Sequence, residues 1–343
     1  MGQMGSSLSR LAGRHNAGRH KARPPSLILQ YPADIIVYLC REHLQPESAL
    51  ALSLTCKSLF DLLFSKAKTR LNDLDREAFL LLLEKDVGHN RYYCHTCSVL
   101  HRFWSSEHTS RTFRYELWKK TCRDECAEFC GTNFAVLYRH VRLVMNRHFL
   151  GPPNGLPLDK FEVRDSSSCG RWRERWSAKI LKDELFLSGT RTLSWLHGTD
   201  QALRDNLENC RYSICTHVRT HKSAMLPVSA LHTDSPSTGL IVPCRDAIGS
   251  CNQCLTDYDT TVERRSTQIQ YGERKLETEY WFITITSYHQ LGNGRAPFDL
   301  KWQAFEGRGS WVSWRPSRDM TQYPQGAVRE AWKESEKASH NPS

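Results

Sequence analysis

The chain has 343 residues, enough for one large or two medium domains. Its hydrophobic content of 39% suffices for a globular core, and no apolar run approaches the roughly 20 residues that a membrane-crossing helix needs. Half of the formal charge of +10 comes from Arg10, Arg14, Arg19, Lys21 and Arg23, because residues 1–33 contain no acid; the remainder is spread thinly.

Residues 1–25 read as a disordered basic tail. Such a tail attracts nucleic acid or anionic membrane, or is simply solvated. The opening Met1-Gly2-Gln3-Met4-Gly5-Ser6 fits the N-myristoylation pattern at Gly2, and one acyl chain plus a basic patch makes a two-part anchor. Membrane attachment is expected only if Gly2 is acylated. The same Arg-rich, acid-free composition also fits an organelle presequence. Thirteen cysteines without a secretory signal point to a reducing compartment, cytoplasmic or nuclear, where paired cysteines favour metal over disulfide.

The spacing predicts three short helices over residues 31–64. Pro32 suits a first turn, and Asp34 complements the helix dipole. Ile35, Ile36, Leu39 and Cys40 make one apolar face. Pro46 stops this helix and opens the next, while Leu52, Cys56, Leu59 and Leu63 recur at helical intervals, with Thr55 as a cap that splits the run. Periodicity alone also fits three ordinary core helices of a larger domain.

These residues carry a resemblance. Tyr31-Pro32-Ala33-Asp34-Ile35 and Leu52-Ser53-Leu54-Thr55-Cys56-Lys57-Ser58-Leu59 resemble the opening and close of an F-box in the form common in filamentous fungi. Tyr31 and Asp34 depart from the usual Leu and Glu of that form. Residues 75–86 are similar to the helix that follows this F-box, and residues 92–103 to the Cys/His segment that comes next. Residues 144–148 and 283–290 also have the family's flavour. The resemblance implies a non-catalytic subunit of an SCF-type cullin–RING ubiquitin ligase. Pro32, Ile35, Ile36, Leu39, Leu50, Leu54 and Leu59 would bind the Skp-family adaptor or hold the helices in place. The region beyond residue 66 would recruit an unidentified protein substrate.

Further along, residues 67–86 read as a connecting amphipathic helix, and residues 90–130 as an irregular stretch rich in Cys, His and Arg. Residues 172–181 alternate as a half-buried strand, and residues 185–195 follow as a second, with Gly189 between. Residues 199–209 read as a helix capped near Thr199 or Asp200. Residues 260–269 and 276–287 are β-prone. Residues 316–343 read as a loose, polar tail with a short helix near residues 328–337. The expected fold class is α+β: a three-helix module at 26–66, then a mixed Cys/His-rich domain at 67–315 with a late antiparallel sheet.

Two metal sites are expected, with zinc as a structural cofactor. In the first, Cys94-x2-Cys97 and His101 supply three ligands, and Cys122, ahead of Cys126 and Cys130, closes the set. In the second, Cys215-x-His217 meets Cys251-x2-Cys254, with Cys210 and Cys244 as competing ligands. Buried free thiols are the alternative at the first. The order of these pairs resembles a RING finger, but the long gap between Cys97 and Cys215 and a missing last pair exclude a built-in ligase. No phosphate loop, dinucleotide fingerprint or nucleophile elbow is present. Trp302, Trp311 and Trp314 near Arg308 and Arg315 read as packing or as a partner surface. A zinc-stabilised nucleic-acid-binding protein is the second functional reading. Charge beyond residue 33 is too scattered to favour it.

Overall fold

The computed structural model describes residues 27–103, 126–128, 135–166, 172–196, 199–210, 212–220, 226–231, 241–271, 274–305, 318 and 321–340. The basic tail with Gly2, the expected ligand Cys122, and Trp311 and Trp314 lie outside the described residues. The chain divides into two compact units that meet between Phe79 and Leu80.

In the first unit a 3-10 turn (Leu27–Gln30) precedes α1 (Ala33–Glu42), α2 (Pro46–Ser53) and α3 (Lys57–Lys68). Pro32 stands just before α1 in an extended conformation, and Pro46 opens α2 at a position whose N–H has no helical partner anyway. Thr55 does mark the division between α2 and α3, but from behind. Its hydroxyl donates to the Leu52 carbonyl at 2.8 Å and closes α2, while Cys56 takes the cap position of α3. The apolar stripe of α1 is wider than the core requires. Ile36 is 4% exposed and Cys40 is buried, whereas Ile35 and Leu39 each remain 44% exposed. The next helix, α4 (Asp73–Val87), begins with a reciprocal cap: Asn72 Oδ1 accepts from the Asp75 N–H at 2.9 Å, and Asp75 Oδ2 accepts from the Asn72 N–H at 3.1 Å. The two units divide within α4, later than the boundary expected at residue 66.

The second unit contains two small antiparallel pairs, β1 (Arg91–Cys94) with β2 (Val99–Arg102) and β3 (Cys126–Glu128) with β4 (Ala135–Leu137), followed by α5 (Tyr138–Leu150). Then come β5 (Val163–Ser166), β6 (Trp172–Leu181), β7 (Glu184–Trp195) and α6 (Asp200–Cys210). After the short parallel pair β8 (Val218–Arg219) and β9 (Leu226–Pro227) run β10 (Cys244–Ser250), β11 (Thr256–Tyr271) and β12 (Arg274–Gly292). α7 (Leu300–Gln303) and α8 (Ala327–His340) complete the described elements. One six-stranded sheet has the order β10-β11-β12-β7-β6-β5, and every neighbouring pair is antiparallel. Two sequential meanders are thus joined at the centre by β7 against β12.

Local chemistry fixes this sheet. Lys182 and Asp183 both have positive φ, 50° and 60°, the backbone of a two-residue turn whose twist matches β6 and β7. Gly189 faces Trp176 across that hairpin, and a Cβ there would lie 2.6 Å from the indole ring. Leu185, Leu187, Ile283 and Ile285 enter the main core with Trp172 and Trp176 and with Leu203 and Leu207 of α6. Phe186 and Tyr288 point the other way, as strand alternation requires, and pack with Leu255 against Val328 and Trp332 of α8.

Two expectations need correction, and one helix, α5, was not foreseen. Residues 321–340 are not loose: the short helix expected near residues 328–337 is α8, and the spacing of Val328 and Trp332 gives it an apolar stripe that the sheet buries. Residues 90–130 are not irregular throughout: Tyr92 and Leu100 lie in the β1–β2 hairpin. α5 was hidden by its Arg and His content. It is interior because Arg142 pairs with Glu84 of α4, both fully buried. The Glu84 carboxylate also accepts from the Tyr93 N–H and from Asn146 Nδ2, each at 2.8 Å, and Arg142 donates to the Arg295 carbonyl at 2.8 Å. The paired charges therefore stitch α4, β1, α5 and the loop after β12 together.

Candidate metal centre and the exposed helix face

Cys215 and His217 lie in the bend that leads into β8, and Cys251 and Cys254 lie in the connection from β10 to β11. Their four ligand atoms all fall within 4.8 Å of one another. His217 Nδ1 is 3.6 Å from Cys251 Sγ and 3.9 Å from Cys215 Sγ. A tetrahedral ion with ordinary metal–sulfur and metal–nitrogen bonds sets its S···N edges at about 3.6 Å and its S···S edges at about 3.8 Å. The cluster is thus sized for one ion.

Both halves are shaped by backbone bonds. The Val218 N–H donates to Cys215 Sγ and the Gln253 N–H to Cys251 Sγ, each at 3.3 Å, which suits sulfur carrying negative charge. The Cys251 N–H donates to the Thr256 carbonyl, and the Thr256 N–H to that of Cys254, each at 2.8 Å, which closes the tight turn. All three cysteines are buried. Hydrogen bonds from Cys215 and then Cys254 pull the Cys251 thiol far down, against burial. Burial pushes Cys215 and Cys254 up. A divalent ion would stabilise all three as thiolates.

A polar chain backs the centre. Cys254 Sγ lies 3.2 Å from Thr256 Oγ1, which lies 3.0 Å from His289 Nδ1, and His289 Nε2 lies 2.9 Å from Ser287 Oγ. A thiolate at Cys254 only accepts, so Thr256 would donate to it and His289 Nδ1 would donate to Thr256.

With the Cys215, His217, Cys251 and Cys254 group as the first centre, the β1–β2 hairpin brings a second together. Cys94 at the end of β1, Cys97 in the turn and His101 in β2 place three ligand atoms within 4.8 Å of one another. Cys94 is buried and Cys97 exposed. The fourth ligand expected here, Cys122, lies outside the described residues. Of the competitors at the first centre, Cys244 lies outside the cluster, with its Sγ 3.8 Å from the Thr260 carbonyl, and the Cys210 side chain is not among those described.

The residues expected to bind an adaptor separate into two groups. Ile36, Leu50 and Leu59 are buried and Leu54 is half-buried, so these hold the helices. Pro32, Ile35 and Leu39 are exposed. Tyr31, Tyr38 and Leu44 are exposed as well, which extends the apolar patch along α1 and its ends.

No protein-family model, no curated protein and no solved structure matches this chain. Among the described residues, no helix is long and apolar enough to cross a membrane. Two participants had no signal in the sequence. Arg318 contacts the first centre from far along the chain, and His289 reaches it through Thr256.

Proposed function

We propose that the chain is a substrate-recruiting adaptor of an SCF-type cullin–RING ubiquitin ligase. It would dock on the Skp-family subunit through α1 and its flanking residues. The supporting observation is the exposed row Tyr31, Ile35, Tyr38 and Leu39, on a helix whose other face is already buried. Apolar residues at i, i+3, i+4 on one exposed face are suited to a partner's apolar groove. Ile36, Leu50 and Leu59 would set the angle at which that face is presented. The sheet unit would hold a protein target, and the chain itself would carry out no chemistry. Proximity to a charged conjugating enzyme raises the effective concentration of the target's lysines.

Zinc is the ion we propose for Cys215, His217, Cys251 and Cys254. Three thiolates and an imidazole in a tetrahedron are a structural zinc set, and four protein ligands leave no open position for catalysis. The hairpin set Cys94, Cys97 and His101 would hold a second zinc, closed by Cys122.

Co-expression with the Skp-family subunit tests the adaptor reading. Wild type should be captured, and Ile35→Asp/Leu39→Asp should not be, with an unchanged circular dichroism spectrum. Folded wild type that captures nothing overturns it. Elemental analysis of the purified chain tests the zinc reading separately.

A further inference from the structure

We infer that the metal centre latches the C-terminal helix through Arg318, so that loss of the ion releases the start of α8 from the sheet. The inference rests on the proposal that Cys215, His217, Cys251 and Cys254 hold an ion; it does not depend on adaptor binding.

The latch begins at Asp257, the third residue after Cys254. Its Oδ2 accepts from the N–H groups of Val328 at 2.9 Å and Arg329 at 3.1 Å, in the first turn of α8. A carboxylate from the sheet thus caps the helix and complements its dipole. The other oxygen, Oδ1, accepts from Arg318 Nη1 at 2.8 Å, and both side chains are 0% exposed. Such a pair holds only while each charge keeps its partner, because breaking it leaves a buried ion alone.

Arg318 is fixed on the other side by the metal turn. Its N–H donates to the Asn252 carbonyl at 3.2 Å, and Nη1 also reaches the Cys251 carbonyl at 3.4 Å. Nε and Nη2 donate to the carbonyls of Tyr323 and Pro324, each at 2.6 Å, in the turn that enters α8. One guanidinium therefore joins the Cys251–Cys254 turn, the capping carboxylate and the approach to the helix. The carbonyls of Cys251 and Asn252 point at Arg318 only while the turn keeps its shape, and that shape is what ligation of Cys251 and Cys254 would fix. Leu255, next in sequence to Cys254, forms part of the seat for Val328 and Trp332.

Other contacts of α8 do not pass through the turn. Arg329 and Lys333 pair with Asp259, and Lys179 with Glu336. Release should therefore begin at the N-terminal end of α8 and leave the sheet intact.

Hydrogen–deuterium exchange on the full chain, zinc-loaded and then chelated, reads this directly, with zinc counted in the same samples. Peptides covering residues 321–340 should exchange about tenfold faster after chelation, while peptides from β7 and β12 keep their protection. The same result in Cys97→Ser, which breaks the hairpin set, assigns the effect to the first centre. Arg318→Gln should keep its zinc at that centre and show the fast exchange even when loaded. Unchanged exchange at 321–340 in chelated wild type overturns the latch while leaving the zinc reading in place. Loss of protection throughout the sheet also overturns it, because the coupling would then be global. A wild-type preparation free of zinc overturns the metal reading, and the latch with it.

Discussion

Along α1, Ile35 and Leu39 face solvent although both are apolar; in the sheet unit Glu84, Arg142, Asp257 and Arg318 are buried although all are charged. Both regions depart from the simple rule, and for different reasons. An exposed apolar side chain loses little on the isolated chain, so it can be kept for a partner. A buried charge is tolerated only with complete pairing, so it becomes a rivet between elements distant in sequence. Substitutions should therefore change binding without stability in the first region, and stability in the second.

The largest loss is expected at the metal centre. Cys254→Ser should lose its zinc and release the start of α8 while the sheet keeps its protection, read by elemental analysis and hydrogen–deuterium exchange. Arg142→Met leaves Glu84 buried without its cation and should cost about 3–5 kcal/mol in urea titrations. A cost near zero would mean that water reaches Glu84 and would weaken the contrast.

His289 gives a pH-dependent version of the same idea. Burial, followed by the nearby Arg191, pushes its pKa from 6.5 down to about 3. The unfolded chain takes up a proton below its ordinary value, whereas the folded chain stays neutral. The stability present above pH 6.5 should thus be lost as pH falls towards 3. His289→Gln should flatten that part of the curve in denaturation measured across the window. Gly189→Ala should cost about 1–3 kcal/mol, because the methyl group would collide with the Trp176 indole. The smallest effect belongs to the first region: Ile35→Asp/Leu39→Asp should change stability by less than about 0.5 kcal/mol while abolishing capture by the Skp-family subunit. A large destabilisation there would make α1 an ordinary core helix.

The parts of this molecule legible in the sequence are those set by short-range pattern. Alternation at residues 172–181 matched β6 to the residue, and the Cys-x2-Cys and Cys-x-His spacings picked out side chains that the fold brings together. Pro32 and Pro46 marked helix starts because a missing N–H is tolerated only there. What escaped was set by long-range pairing. Arg142 in the middle of α5 reads as a surface residue until Glu84 is placed beside it. Arg318 carries no local signal, since its partners Cys251 and Asp257 are defined only once β11 turns back on the sheet. Ile35 and Leu39 were legible as apolar, but not as exposed, because periodicity does not say which half of a wide stripe the core will take.

The strand order has a consequence for how the chain acquires its shape. β5, β6 and β7 are neighbours in sequence and in space, as are β10, β11 and β12, so each meander can form from nearby contacts. The pairing of β7 with β12 alone closes the long excursion that holds Cys215 and His217. Growth within that excursion should be tolerated over evolution, since doubling a flexible loop adds only about 0.6 kcal/mol to its closure.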